Sequence, residues 1–281
     1  MIEWKETKIE HNVLTENKKC VVVVPVYKEK LNTVEEYSLK QVVNILGDKY
    51  EIVLVCPFSL DITIYNKIAN YNFSILRCNN NFFVSQKSYS DLCEMWQFYD
   101  SFNEYEYMLI YQLDAWIFED RLDYFINLDY DYIGAVHLVG LSEINKEGEN
   151  GNGGFSLRKI KKFIDVCKTV DFKKVPYWQL EDCAFTQRFK SYFNLAPLNI
   201  CREFSFHEKP KMQFEKNNNK LPMGCHAWMK YDKYFWKQYI GREEFKDLFS
   251  VKETTIRNIL KPIYGSVDFR LSNRKKTRKI L

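Results

Sequence analysis

The sequence predicts an α/β fold, a mostly parallel mixed sheet flanked by helices in a single domain. Three observations carry that expectation. Apolar, largely β-branched runs at 20–26 and 51–56, each closing near a proline, read as strands buried on both faces. The stretches between such runs have helical spacing, so strands and helices alternate with short connections. The 281 residues, 46% of them hydrophobic, show no repeat and no low-complexity linker, and they suffice for one sizeable core.

The elements follow in order. After the strand at 20–26, residues 33–46 set Val34, Tyr37, Leu39, Val42, Val43, Ile45 and Leu46 at helical spacing, and Gly47 stops the helix. The strand at 51–56 ends at Pro57. A short helix is expected at 61–69, a strand at 73–77, a helix at 88–102 and a strand at 107–113 that runs directly into Asp114. Further on, the pattern predicts a strand at 130–136, a Gly-rich loop at 140–154, helices at 159–170 and 181–193, and a helical tail near 243–261. These boundaries predict an amino-terminal extension at 1–19, a domain at 20–242 and a carboxyl-terminal helix with a basic tail at 243–281.

Charge and cysteine usage narrow the function. The net charge is +4, but Arg270, Arg274, Lys275, Lys276, Arg278 and Lys279 supply six positive charges, so without them it falls to −2. The body is therefore not a nucleic-acid binder, and only the tail is suited to an anionic membrane face. Eight cysteines form no C-x-x-C pair. Several sit in apolar runs and read as small buried hydrophobes of a reducing compartment. No signal-peptide pattern and no membrane-length apolar run occurs, so a cytoplasmic protein is expected, at most attached to the inner membrane face.

Four segments carry chemistry. In Gln112-Leu113-Asp114-Ala115-Trp116 a carboxylate follows a buried strand, where it either caps the next turn or faces a ligand-bound Mg²⁺ or Mn²⁺. Ligands of doubly wound sheets bind beyond the carboxyl ends of the strands, a rim that Asp114 shares with Tyr27 and Lys28. In the segment Gly151 to Arg158, glycines allow either close approach of a ligand or a tight turn into a strand. Glu181 and Asp182 stand at a helix start, stabilised by its dipole or offering a general base. In the segment Leu221 to Trp228, His226 is one of only four histidines, a metal ligand, a hydrogen-bond donor to phosphate or a structural ring.

Taken together, "IYQLDAWIF", "YDYIGA", "GNGGFSLR", the Glu181-Asp182 pair and "LPMGCHAW" resemble a family of bacterial glycosyltransferase-like proteins similar to GT-A glycosyltransferases. The likeness runs from about Cys20 to Trp236. It implies a Rossmann-like amino-terminal half, a nucleotide-sugar donor with UDP favoured, and a saccharide or glycoconjugate acceptor, as in surface polysaccharide synthesis. Pro25, Tyr27 and Lys28 would bind the nucleotide. Asp114 falls in the place of the family's Asp-x-Asp metal motif, with Gln112 at its first position. His226 would complete the coordination of a divalent cation, Mn²⁺ or Mg²⁺. Gly153, Gly154 and Arg158 would shape the sugar pocket, and Asp182, with Glu181, would supply the base. Two alternatives stand beside this reading. A nucleotidyltransferase would want a glycine-rich basic loop after the first strand, where Pro25-Val26-Tyr27-Lys28-Glu29 has no glycine. A degenerate domain that only binds saccharide or a partner would tolerate Gln112.

Overall fold

The computed structural model describes residues 2–5, 7–12, 16–138, 149–176 and 179–240. Its main sheet contains β1 (Cys20–Pro25), β2 (Glu51–Pro57), β3 (Ser74–Cys78) and β4 (Tyr107–Tyr111). The short β5 (Trp116–Ile117) follows, and β6 (Tyr132–His137) and β7 (Glu149–Lys159) complete that main sheet. The order is β3-β2-β1-β4-β7-β6. The first four strands pair in parallel, and β7 runs antiparallel to both of its neighbours. The expected mostly parallel mixed sheet is thus the observed one.

Continuous apolar runs are required because both faces are covered. Along β1, Val22 and Val24 point into one hydrophobic layer and Val21 and Val23 into the other. The helix Thr33–Leu46 covers the first layer. A capping box starts it, in which Asn32 accepts from the Glu35 amide at 3.0 Å and Glu35 accepts from the Asn32 amide at 2.9 Å. Sheet order reverses between β1 and β4, which opens a crevice at their carboxyl ends.

A second sheet, β5-β9-β8, lies at the mouth of that crevice and is formed with β8 (Ser205–Phe206) and β9 (Gly224–Cys225). Its register pairs Trp116 with Cys225 and Ser205 with Gly224. Trp116, Phe206, Trp228 and Trp236 pack around it as a third apolar cluster.

Several boundaries differ from the sequence expectation. The helix expected at 88–102 is two, Gln86–Cys93 and Trp96–Asp100, because Met95 is extended at φ −87°, ψ 126°. The Tyr99 hydroxyl donates to the Cys93 carbonyl at 2.9 Å across the break. The helix expected at 181–193 is a short turn Glu181–Cys183, a wide π turn Ala184–Arg188 and a 3-10 turn Lys190–Tyr192. That broken path brings Phe185 and Phe193 onto Phe163, at 4.9 and 5.0 Å between ring centres. The glycines at 151, 153 and 154 lie inside β7 rather than in a loop. Part of the expected loop, 140–148, the helix expected near 243–261 and the basic tail lie outside the described residues. In the amino-terminal extension, Glu10 pairs with Ile75 on the edge of β3 and His11 bonds to buried Glu51 at 2.7 Å. No helix among the described residues is long and apolar enough to cross a membrane.

Candidate active site

A cavity of about 930 Å³ opens at the carboxyl ends of β1 and β4. Of the residues expected at the site, Pro25, Tyr27 and Lys28 line it from β1, and Asp114 from the turn after β4. Gly153 and Gly154 line it from β7, Glu181 and Asp182 from the short turn Glu181–Cys183, and His226 from just after β9. The sheet-terminal loops thus bring together segments up to two hundred residues apart in sequence.

Asp114 and His226 meet directly. Asp114 Oδ1 lies 2.9 Å from His226 Nε2, and Gln112 Oε1 lies 3.1 Å from the same nitrogen. Two backbone contacts hold this group in place. The Gln112 amide donates to the Gly154 carbonyl at 2.9 Å, and the His226 amide donates to the Phe206 carbonyl at 2.9 Å. The His226 ring lies flat against Gly154, where a Cβ would stand only 2.1 Å from Nε2. Glycine is required there by space, whatever the backbone conformation.

The acidic pair is divided in its surroundings. Glu181 is buried and accepts from Arg158 Nη2 at 3.2 Å, and its amide donates to Ser90 Oγ at 2.6 Å. Burial, and then the charge of Asp182, push the Glu181 carboxyl above its ordinary value, against the pull of Arg158. Asp182 is less buried. Its carboxylate accepts from the Gly153 amide at 3.0 Å and the Cys183 amide at 2.7 Å.

Arg158 is a correction to the sequence reading. It was expected to shape the sugar pocket, but its side chain is fully buried behind the cavity wall. Alternation along β7 turns it to the layer of its partners Met108 and Tyr132. There it donates to the Tyr99 hydroxyl at 2.8 Å, Ser156 Oγ at 3.1 Å and Glu181. It orients Glu181 and does not line the cavity.

At the end of the cavity beside β1, Lys28 pairs with Glu35 of the capping box, and its carbonyl accepts from the Tyr65 hydroxyl at 2.6 Å. Tyr27 remains 42% exposed and lines the cavity. Burial of its hydroxyl, with Glu35 and Asp114 nearby, pushes its pKa up to about 12, so it is a hydrogen-bonding phenol at neutral pH.

Among the cavity residues that the sequence reading did not single out are His137 at the end of β6, and His207 with Glu208 after β8. His207 stacks on His226 with ring centres 5.1 Å apart, and burial together with His226, His137 and Lys230 holds it well below the ordinary imidazole value. The available signal was scarcity. The chain has four histidines, and three of them line this cavity.

Comparisons with known proteins come from three directions. No curated protein sequence matches the chain. Among solved structures, it is similar to the bifunctional glycosyltransferase WbbM at 12% identity and TM-score 0.48, covering 77% of this chain and 46% of that one. It is similar to the glycosyltransferase GlyE of Streptococcus pneumoniae at 15% identity and TM-score 0.49, covering 83% and 64%. It is also similar to the galactosyltransferase LgtC, solved with donor and acceptor sugar analogues, at 10% identity and TM-score 0.44, covering 73% and 86%. The chain thus spans less than two thirds of the length of WbbM and GlyE. A family model matches residues 72–226, more than half of the chain, which therefore belongs to the family described as "Protein of unknown function (DUF5672)".

Proposed function

We propose that this chain is a glycosyltransferase of the GT-A type, moving a sugar from a nucleotide-sugar donor to a hydroxyl acceptor. The observation that carries the reading is the meeting of Asp114 and His226, 2.9 Å apart at the switch point of the parallel sheet, in one cavity with Asp182. Crevices at such switch points bind nucleotides. A cavity of about 930 Å³ is in the range that small-molecule and cofactor sites occupy.

The residues present fit a divalent cation. Asp114 Oδ1 and His226 Nε2, 2.9 Å apart, are an oxygen and an imidazole nitrogen that a divalent cation such as Mn²⁺ would accept together. Gln112 Oε1 adds a neutral oxygen where a second carboxylate was expected. Asp114, His226 and Gln112 would hold the ion, and donor phosphates would fill its other positions. A cation there neutralises charge that develops on the leaving diphosphate.

The chain's own groups supply the rest. The exposed face of Tyr27 stacks on the base, and Lys28, paired to Glu35, sets the rim of that subsite. Asp182 accepts the proton of the attacking hydroxyl, and its two backbone donors keep the carboxylate aimed across Gly153. Glycines 153 and 154 let Asp182 and His226 pack directly against β7 at the cavity wall, beside which the sugar would sit. UDP as the favoured nucleotide, a saccharide acceptor and contact of the basic tail with an anionic membrane face belong to the same proposal.

The test is release of nucleoside diphosphate from a panel of nucleotide sugars with Mn²⁺. Asp114→Asn is expected to lower turnover at least about a hundredfold, as loss of a group aligned on developing charge does, with unchanged circular dichroism. Near-normal turnover by that variant sinks the assignment. Gln112 favours one second reading, a domain that binds donor without turning it over. Binding of a nucleotide sugar with no release by the intact protein decides for that reading.

A further inference from the structure

His137, His207 and Glu208 have no task in the transfer chemistry, yet each lines the cavity. We propose that these three residues form a second metal site, for a divalent transition-metal ion such as Zn²⁺, separate from the Asp114–His226 pair. The proposal stands whether or not the chain transfers sugars.

Geometry comes first. The three residues offer one ligand atom each, all within 4.8 Å of one another, the described residues' one such group of histidine, cysteine or carboxylate. They come from two elements, the end of β6 and the segment after β8. A hydrogen bond from backbone to side chain ties those elements, since the Leu138 amide donates to Glu208 Oε2 at 2.8 Å. That bond fixes the carboxylate beside His137 and orients it, as outer hydrogen bonds orient metal ligands elsewhere.

Unsatisfied atoms point the same way. Nδ1 of His137 and Nδ1 of His207 are buried without a hydrogen-bond partner in the protein. His207 is 6% exposed and Glu208 7% exposed, so neither group is compensated by bulk water. A buried donor or acceptor left unmade costs about 1–3 kcal/mol, and two such imidazoles beside a carboxylate are readily explained by a ligand. The His207 ring is further confined, edge-on to Tyr231 at 4.7 Å between ring centres.

The donor set selects the ion. Two imidazoles and one carboxylate are the ligands of open zinc sites, which keep a fourth position for water or substrate. All three residues line the cavity, from which such a water or substrate would come. Mg²⁺, which prefers oxygen, suits the set poorly.

The experiment uses the full chain, stripped with a chelator and titrated with Co²⁺ and, separately, Zn²⁺, with no nucleotide present. Visible Co²⁺ absorption and metal analysis are the readouts. The wild type is expected to bind Co²⁺ with the absorption of a nitrogen–oxygen site. His207→Ala and Glu208→Gln are expected to weaken binding by at least about tenfold, the scale on which even outer-shell changes act. Asp114→Asn is expected to leave this absorption in place. Should His207→Ala fail to fold, His137→Gln on the partly exposed wall gives the same reading. No retained Co²⁺ or Zn²⁺ in the wild type overturns the proposal. So does absorption lost in Asp114→Asn and kept in His207→Ala and His137→Gln, which places any ion at the Asp114–His226 pair. Donor turnover is measured apart from this titration, so failure of either proposal is recognised by itself.

Discussion

Glu181 and Asp182 are neighbours in sequence with opposite circumstances. Glu181 faces the buried guanidinium of Arg158 and has a raised proton affinity, set first by burial. Asp182 is less buried and is held by two backbone amides on the cavity wall. A general base must reach its substrate, so in the proposed transfer Asp182 would serve as the base and Glu181 as the anchor that fixes the turn. Asp182→Asn is therefore expected to cut kcat by two to four orders of magnitude, the usual weight of general base catalysis (about 10²–10⁴-fold). Donor affinity should change little, because the base acts mainly in the transition state. Glu181→Gln should lower stability more than it lowers kcat, since it leaves Arg158 buried with a weakened partner. Single-turnover kinetics and urea unfolding on both variants check this. A large loss of kcat in Glu181→Gln with Asp182→Asn near normal reverses the assignment.

At the scale of elements, the site depends on the small sheet β5-β9-β8. The main sheet delivers Asp114 at the end of β4, but His226, His207 and Glu208 arrive only because β8 and β9 pair alongside β5. Close approach of β7 to this sheet sets the spacing. Gly154 lies under the His226 ring, and Gly224 has its Cβ position 2.5 Å from Phe155 Cζ. Gly154→Ala is expected to push His226 away from Asp114 while leaving β7 paired. Displacing the buried His226 ring outweighs the roughly 0.5–1 kcal/mol by which a strand favours alanine over glycine, so the melting temperature should also fall. Affinity for nucleotide in the presence of Mn²⁺ should drop by about tenfold or more, on the scale of disturbed metal orientation. Isothermal titration with and without Mn²⁺ measures it. An unchanged Mn²⁺-dependent affinity would remove His226 from the donor site.

For the whole molecule, what was legible in the sequence follows from the physics of each part. Strands β1, β2 and β4 were readable because burial on both faces demands a near-continuous apolar run, which only Glu51 at the start of β2 breaks. Asp114 was readable because it interrupts such a run. The path after Glu181 was not, because helical spacing cannot show a π turn whose purpose is to seat Phe185 and Phe193 on Phe163. The burial of Arg158 was hidden until the alternation of β7 was known, and His207 and Glu208 were hidden because two-residue strands leave no periodic trace. The cavity gathers residues from both the main sheet and the small one, so a bound donor should hold the two together and stabilise the molecule as a unit. A ligand at a hundredfold its dissociation constant adds about 2.7 kcal/mol. For a chain of this size each kcal/mol is about 2–4 °C, so the melting temperature should rise by roughly 5–10 °C. The rise should be larger for a nucleotide sugar with Mn²⁺ than for either alone. In Asp114→Asn the part that depends on Mn²⁺ should vanish and a smaller, metal-independent shift remain, since Tyr27 and Lys28 still meet the nucleotide. If no nucleotide or nucleotide sugar moves the transition of the wild type by more than about 1 °C, with or without Mn²⁺, the crevice between β1 and β4 is not a nucleotide site.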